Sequence, residues 1–268
     1  MRGDLAGDRF ADRFEIYELL GTGLVGRIYR AWDRQGQRHV ALKILDKPFR
    51  HMPGLSGFAG AFPMAPLLRR ESRLLEQLQH PGICGYQASG EIDNIPWLAM
   101  EYIDGGLLRD RETPILAPEL LHVVRGVSAP LIYLHSAGYV HRDVTPSNVG
   151  FRSNGTLALL DIGLVQRTFY SPEFAIQRVM GSPGYSPPEC HRPTAFDIAL
   201  TPRADVFSLG RLLEWMIAGP DMRVHPDAPM PASHSPISGV VQRATCVDPE
   251  LRYPDIPTLL GACELALG

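Results

Sequence analysis

The feature that most constrains this chain is a polar run in its middle, HRDVTPSN at positions 141–148, followed by the tripeptide DIG at positions 161–163. These segments place Asp143, Asn148 and Asp161 on two neighbouring turns. Carboxylate and amide oxygens are the ligands that a hard cation such as Mg2+ prefers. A further carboxylate beside such ligands can orient a hydroxyl group. The pattern therefore predicts a polar site built on two adjacent loops.

Short motifs also arise by chance, so the order and spacing of other motifs matter. A glycine-rich segment, GTGLVGRI, occupies positions 21–28, and VALK follows at 40–43. Downstream lie GSPGYSPPE at 181–189, DVFSLG at 205–210 and finally Arg252. In this order they resemble the glycine loop, the strand lysine, the end of the activation segment and the large C-lobe helix of protein kinases, and Arg252 resembles the arginine that pairs with the glutamate of the activation segment, here Glu189. The chain is thus similar, over nearly its whole length, to a bacterial-like form of the eukaryotic-type (Hanks-type) serine/threonine kinase domain.

The resemblance implies an α+β, two-lobed protein kinase fold, with a five-stranded antiparallel sheet and one helix in the N-lobe and a mainly helical C-lobe. Three regions are expected: a flexible leader at 1–12, the N-lobe at 13–103 and the C-lobe at 104–268. Alternating apolar residues predict strands at 14–20, 27–33, 38–45, 86–91 and 97–102, and leucine spacing predicts a helix at 67–79. C-lobe helices are expected at 118–137, 202–218, 237–246 and 256–267, with a strand pair at 149–151 and 157–160.

The resemblance also assigns catalytic roles. Asp143 is expected to accept the proton of the acceptor hydroxyl or to orient that hydroxyl. Asn148 and Asp161 are expected to bind Mg2+. Lys43 is expected to reach the phosphates of ATP and to pair with Glu71.

The resemblance places the cofactors ATP and Mg2+ against a larger set of residues. The ATP-binding residues are expected to be Leu20, Gly21, Gly23, Gly26, Ile28, Ala41, Lys43, Glu71, Met100, Glu101 and Ile103. Glycines without side chains let backbone N–H groups approach phosphates. Met100 would lie at the back of the adenine site, and the backbone of Glu101 and Ile103 would hydrogen-bond the purine. The remaining aliphatic residues would form its roof.

Each of these assignments has an ordinary structural alternative. Lys43 could be a surface lysine, but Lys43 and Lys47 are the only lysines in a chain that otherwise uses arginine. A lysine retained after three apolar residues favours a position where a compact ammonium is needed. Glu71 could be a solvated carboxylate, in which case Glu76 is the alternative partner. The aliphatic residues of the ATP set are equally well explained as core.

Composition narrows the class of protein further. A net charge of −3 favours neither nucleic acid nor a membrane surface as a partner, and we expect neither. No apolar run approaches the ~20 residues that span a bilayer, and the polar N-terminus does not resemble a signal peptide. The four cysteines lack C-x-x-C spacing, which favours free thiols in a reducing compartment. We therefore expect a cytoplasmic protein.

The sequence departs from the kinase pattern at several positions. Thr145 stands where serine/threonine kinases usually carry a lysine near the transferring phosphate. Gly150 stands where a bulky side chain usually forms the floor of the adenine site. Val25 and Ile162 each replace an aromatic residue, in the glycine loop and in D-F-G. The late activation segment has no hydroxyl side chain between positions 173 and 181. A carboxylate is therefore expected to pair with the arginine that receives an anion from this segment in the family.

That arginine is Arg142, which resembles the anion-receiving residue of the family, and Glu173 is the nearest candidate partner.

Two other segments are unusual. Residues 46–66 form a long apolar connection that lacks acidic residues beyond its first position, which suggests a contact surface for a regulatory partner or, equally, a covering loop. Residues 219–236 form a proline-rich loop.

We therefore expect ATP-dependent phosphorylation of serine and threonine hydroxyls in protein substrates. One alternative is a weakly active pseudokinase that acts as an ATP-binding scaffold, which Thr145 favours. A second is a small-molecule kinase of the aminoglycoside-phosphotransferase kind, which Glu189 and Asp205 disfavour because they belong to a peptide-binding segment.

Overall fold

The computed structural model describes residues 5–23, 25–45, 64–112, 114–168, 181–190, 200–218 and 236–268. Its first part contains strands β1 (Arg9–Phe10), β2 (Phe14–Thr22), β3 (Arg27–Asp33), β4 (Arg38–Ile44), β5 (Tyr86–Ile92) and β6 (Ile95–Glu101). All pair antiparallel in the order β1-β2-β3-β4-β6-β5. Helix α1 (Met64–Gln77) packs on β5 and β6.

The two faces of this sheet have different roles, because successive side chains of a strand point in opposite directions. One face carries an apolar core cluster of Phe14, Ile16, Tyr29, Ala31, Val40, Leu42, Ile44, Trp97 and Ala99. The alternate positions of β4, Ala41 and Lys43, lie on the other face, and Ile28 of β3 pairs with Lys43 there. The strand pattern thus separates the core from the residues predicted to bind ATP.

The N-terminal leader differs from the prediction of a flexible segment. Residues 9 and 10 form a sixth strand, so the sheet is not five-stranded, and Leu5 and Phe10 pack against the core cluster. The amide of Ile16 donates to the Asp8 carbonyl at 3.0 Å. Charged residues suggest a solvated tail here, but the two apolar side chains between them are partly buried against the core cluster.

The second part of the chain is mainly helical. Its helices are α2 (Ala117–Ser136), α3 (Arg203–Ala218), α4 (Pro236–Ala244) and α5 (Ile256–Leu267), and its strands are β7 (Tyr139–Val140), β8 (Val149–Phe151), β9 (Leu157–Leu159) and β10 (Gln166–Arg167). Helix α3 is buried on nearly all sides and contacts α2, α4 and α5. A Cβ atom on Gly210 would lie 2.7 Å from the Ala244 Cβ, so glycine permits the close approach of α3 and α4.

The chain divides into two compact units, Met1–Gln79 with Cys84–Ile103, and His80–Ile83 with Asp104–Gly268. The short segment joins the second unit because the Leu159 amide donates to the Gly82 carbonyl at 2.7 Å. The predicted fold class is confirmed, and the predicted strands and helices are present within a few residues.

Two differences from the predicted element boundaries bear on the unusual segments. Helix α1 begins at Met64, inside the expected 46–66 insertion, whereas residues 46–63 lie outside the described part of the chain. Residues 219–235 of the proline-rich loop also lie outside it. No helix among the described residues is long and apolar enough to cross a membrane.

Candidate active site

Among the predicted site residues, the first element is a buried ion pair in the N-terminal unit. Lys43 Nζ lies 2.9 and 2.8 Å from the two carboxylate oxygens of Glu71, and the side chains are only 2% and 1% exposed. Glu76 is exposed, so the alternative partner is ruled out. A fully desolvated pair of this kind contributes little net stability but holds both groups in one geometry. The predicted pair is therefore formed, and it orients the Lys43 ammonium.

The glycines of the β2–β3 hairpin do not serve one common purpose. A Cβ atom on Gly26 would lie 2.1 Å from the Ile44 carbonyl oxygen, so packing against β4 requires glycine there. Gly21 and Gly23 meet no such obstacle. The Gly23 amide donates to the Gly26 carbonyl at 2.8 Å, which closes the hairpin. Of the three glycines, Gly21 and Gly23 are thus those without a packing explanation.

The aliphatic residues predicted to enclose adenine do not belong to the apolar core cluster of the sheet. Leu20 is 37% exposed, and Ile28 is partly exposed. Ala41 and Met100 are buried and are paired across β4 and β6. The core explanation therefore fits Ala41 and Met100 but not Leu20 or Ile28.

The backbone of Glu101 is only partly available for a purine. Its N–H group donates to the Gly85 carbonyl at 2.8 Å, and its carboxylate accepts from the Gly85 amide at 3.1 Å. Its carbonyl accepts a weak hydrogen bond from the Cys84 thiol at 3.4 Å. The prediction that the Glu101 backbone bonds a purine is thereby restricted to the carbonyl. Ile103 is partly exposed. The sequence contained no signal for Cys84, because a lone buried cysteine carries no motif.

The second element is the loop that carries Asp143 in the C-terminal unit. Asn148 Nδ2 donates to the Asp143 carboxylate at 2.7 Å and to its carbonyl at 2.9 Å. The Ser182 amide donates to the other carboxylate oxygen at 3.1 Å. Both oxygens of Asp143 are thus oriented by N–H groups. Sequence reasoning assigned Ser182 only to a motif and missed this contact.

Asn148 and Asp161 flank the β8–β9 hairpin, as predicted. The Leu160 amide donates to the Asn148 carbonyl at 2.8 Å, which ties the two ends together. Because the Asn148 amide nitrogen faces Asp143, its Oδ1 points elsewhere. Asp161 adopts a left-handed backbone conformation (φ 47°) and accepts from the Gly163 amide at 3.0 Å. Two hard oxygen donors at one end of a hairpin fit an Mg2+ site.

The backbone of the catalytic loop is anchored by Asp205 of α3. One carboxylate oxygen accepts from the Arg142 amide and the other from the His141 amide, both at 2.7 Å. His135 also contacts this carboxylate at 2.7 Å. Burial opposes ionisation of Asp205, but the hydrogen bond and charge of His135 hold its pKa below the ordinary value. Sequence reasoning placed Asp205 only at a helix start; a carboxylate at the beginning of a mainly apolar helix was the available signal.

Two arginines that the motif pattern singles out also form hydrogen bonds in the C-terminal unit. Arg142 is buried, and its guanidinium donates to Gln166 Oε1 at 3.1 Å. Its predicted partner Glu173 lies outside the described residues. Arg252 makes two hydrogen bonds with the Glu189 carboxylate, at 2.7 and 2.8 Å, as the motif pattern predicts.

Thr145 is 4% exposed and lies two residues from Asp143. If a positive charge is missing near the transferred phosphate, Thr145→Lys should raise kcat by roughly tenfold and change the KM for ATP little, because the charge acts mainly in the transition state. Steady-state phosphorylation kinetics would measure this. Thr145→Met has a side chain of similar length without charge, and it should not raise kcat. Equal losses in both variants would contradict the prediction and show that the site has no room.

Comparison with known proteins places these features in a family. The protein kinase domain family matches residues 14–229. The chain is 31% identical to a probable serine/threonine-protein kinase of Streptomyces coelicolor, over 91% of this chain and 38% of that protein. It is 28% identical to serine/threonine-protein kinase PknB of Mycolicibacterium smegmatis and 29% identical to PknB of Mycobacterium tuberculosis, over 95% of this chain and 39% of each relative.

The chain therefore belongs to the protein kinase domain family. It spans less than half the length of these curated relatives.

Proposed function

We propose that this protein is a serine/threonine protein kinase that transfers the γ-phosphoryl group of Mg-ATP to hydroxyl groups of protein substrates. The observation that carries the proposal is the Asp143 carboxylate, which is aligned by Asn148 and by the Ser182 amide. Its loop is anchored to a buried helix through Asp205. The relatives described above, which are named serine/threonine-protein kinases, support the same activity.

In this proposal Asp143 accepts the proton of the acceptor hydroxyl or orients that hydroxyl for in-line attack. The N–H groups on its two carboxylate oxygens restrict the rotation of the carboxylate. Asn148 Oδ1 and the Asp161 carboxylate would hold Mg2+. Bound Mg-ATP supplies the phosphoryl group, and its metal offsets the negative charge that develops during transfer.

The N-terminal unit contributes phosphate binding. Lys43, held by Glu71, presents a compact ammonium, and the absence of side chains at Gly21 and Gly23 leaves room for phosphate oxygens beside the β2–β3 hairpin. The Glu101 carbonyl can accept a hydrogen bond from the exocyclic amino group of adenine. These groups bind and orient; they do not exchange protons during the reaction.

The proposal is tested by comparing wild type with Asp143→Asn in a phosphoproteomic experiment with Mg-ATP. Wild type should phosphorylate serine and threonine in protein acceptors, and the variant should be slower by about 10²–10⁴-fold, the usual contribution of a general base. The variant should keep its Mg-ATP-dependent thermal shift, which shows that nucleotide binding survives.

Two outcomes favour the alternatives. ATP binding by wild type without phosphate transfer to any protein would support the pseudokinase. Transfer to small hydroxylated or aminated molecules but not to protein would support a small-molecule kinase. In either case the proposed function would be rejected.

A further inference from the structure

A short turn lies against the Asp143 carboxylate, formed by residues 182–186. The Ser182 amide donates to Asp143 Oδ1 at 3.1 Å. The turn is closed on itself, because the Tyr185 and Ser186 amides both donate to the Ser182 carbonyl, at 3.1 and 3.0 Å. The position of Ser182, and hence of one Asp143 oxygen, therefore depends on what holds this turn.

Helix α3 holds the turn through two side chains. Ser208 Oγ donates to the Tyr185 carbonyl at 2.9 Å, and Arg211 Nε donates to the Gly184 carbonyl at 2.8 Å. The Nη1 group of Arg211 makes an ion pair with Glu214, one helical turn further on. The guanidinium thus bridges a backbone carbonyl and a carboxylate with two donors of one rigid plane.

The Arg211–Glu214 pair is buried, with side-chain exposures of 12% and 3%. Burial raises the pKa of Glu214 above its ordinary value, and the charge of Arg211 only partly opposes this. A buried ion pair is usually no more stable than apolar side chains of the same size. Its presence in α3 is therefore better explained by the orientation that Glu214 imposes on Arg211 than by stability.

We propose that Arg211, oriented by Glu214, is a positioning residue for phosphoryl transfer: it sets the turn 182–186 and, through the Ser182 amide, the Asp143 carboxylate. The proposal rests on the proposed function. The turn borders the carboxylate that orients the acceptor hydroxyl or accepts its proton. Arg211 therefore affects the placement of the protein acceptor and the rate of the catalytic step, whereas the affinity for the nucleotide does not depend on it.

The test removes the pair as a unit, since Arg211→Met alone would strand a buried carboxylate. The variant is Arg211→Met/Glu214→Met, in which apolar side chains of similar volume replace both charges. The matched control is Arg125→Met/Glu264→Met, which removes an exposed ion pair with side chains 57% and 41% exposed. A third variant, Glu214→Gln, keeps an oxygen that can accept from Arg211.

We expect the buried-pair variant to bind Mg-ATP within about twofold of wild type but to show a kcat for protein acceptors lower by about tenfold or more, since small displacements of a catalytic group have large kinetic effects. Glu214→Gln and the control should stay within about threefold of wild-type kcat. A kcat unchanged in the buried-pair variant, or equal losses of kcat and Mg-ATP affinity, would overturn the proposal.

Hydrogen exchange of the backbone amides separates this inference from the proposed function. The Ser182, Tyr185 and Ser186 amides are protected by the hydrogen bonds described above. They should exchange at least about tenfold faster in the buried-pair variant than in wild type or in the control. This measurement needs no activity: if wild type transfers no phosphate, the proposed function fails, and unchanged exchange would still refute the role of Arg211 in holding the turn.

Discussion

Asp205→Asn is expected to lower the free energy of unfolding by about 3–5 kcal/mol and to reduce phosphoryl transfer to near background. In wild type both carboxylate oxygens accept backbone amides of the catalytic loop, from His141 and Arg142. An asparagine side chain has only one oxygen, so its NH2 group would face one of these N–H donors. The buried amide would then lack an acceptor, and the loop carrying Asp143 would lose its position.

Chemical denaturation and kcat with a protein acceptor measure the two effects. The matched control is Asp255→Asn, where a partly exposed carboxylate accepts from the Thr258 amide at 2.8 Å at the start of α5. Aspartate and asparagine are nearly equivalent as helix N-caps, so the control should change stability by less than about 1 kcal/mol. If Asp205→Asn were as mild as the control, the anchoring role of Asp205 would be wrong.

The same residue makes a pH-dependent contribution to stability. The pKa of Asp205 is lower in the folded protein than in the unfolded chain. Its contribution to the unfolding free energy is therefore present above the unfolded-state pKa of about 4 and is lost as the pH falls below that value. The stability difference between wild type and Asp205→Asn should accordingly narrow in acid.

Lys43→Met is expected to cost about 3–5 kcal/mol of stability, because it leaves the Glu71 carboxylate buried without its ammonium partner. Under the proposed function it should also abolish phosphoryl transfer, since the ammonium assigned to the phosphates of ATP is lost. The double variant Lys43→Met/Glu71→Met should recover most of the stability, because two apolar side chains replace two desolvated charges. It should recover none of the activity.

Denaturant titration and kcat for wild type and both variants separate stability from catalysis. An exposed pair that joins α1 to β5 serves as the control: Arg69 and Glu91 are 41% and 38% exposed. Arg69→Met should therefore change stability by about 1 kcal/mol or less and leave activity intact. Activity retained in the double variant would remove Lys43 from the catalytic set.

Local sequence was sufficient to predict most of the elements and to single out the candidate catalytic groups. Strands and helices follow from periodicities of two and 3.6 residues, which are properties of neighbouring positions. Asp143, Asn148 and Asp161 stand in motifs whose spacing reflects one hairpin. The lysine at position 43 is marked by its rarity in an arginine-rich chain.

Contacts between distant parts of the chain could not be derived in this way. Glu71 and Glu76 both fit the helix, and only packing of α1 shows that Glu71 is buried against Lys43. The leader appears polar in sequence, yet its Leu5 and Phe10 side chains pack against the core cluster of the sheet. The contribution of such side chains to stability depends on the surface that they pack against, and the periodicity of the sequence does not contain that information.

Motifs therefore identified the candidate reactive groups, and long-range packing showed which residues hold them in place. Asp205 holds a loop more than sixty positions upstream, and Arg211 holds a turn that borders Asp143. Neither contact can be predicted from a local pattern. A hydrogen bond between distant residues fixes the residue type at two separate positions and produces no periodicity around either of them. The physical reason is that the sequence determines the functional group at each position, whereas folding of the chain determines how far that group is desolvated and which hydrogen-bond partners it has.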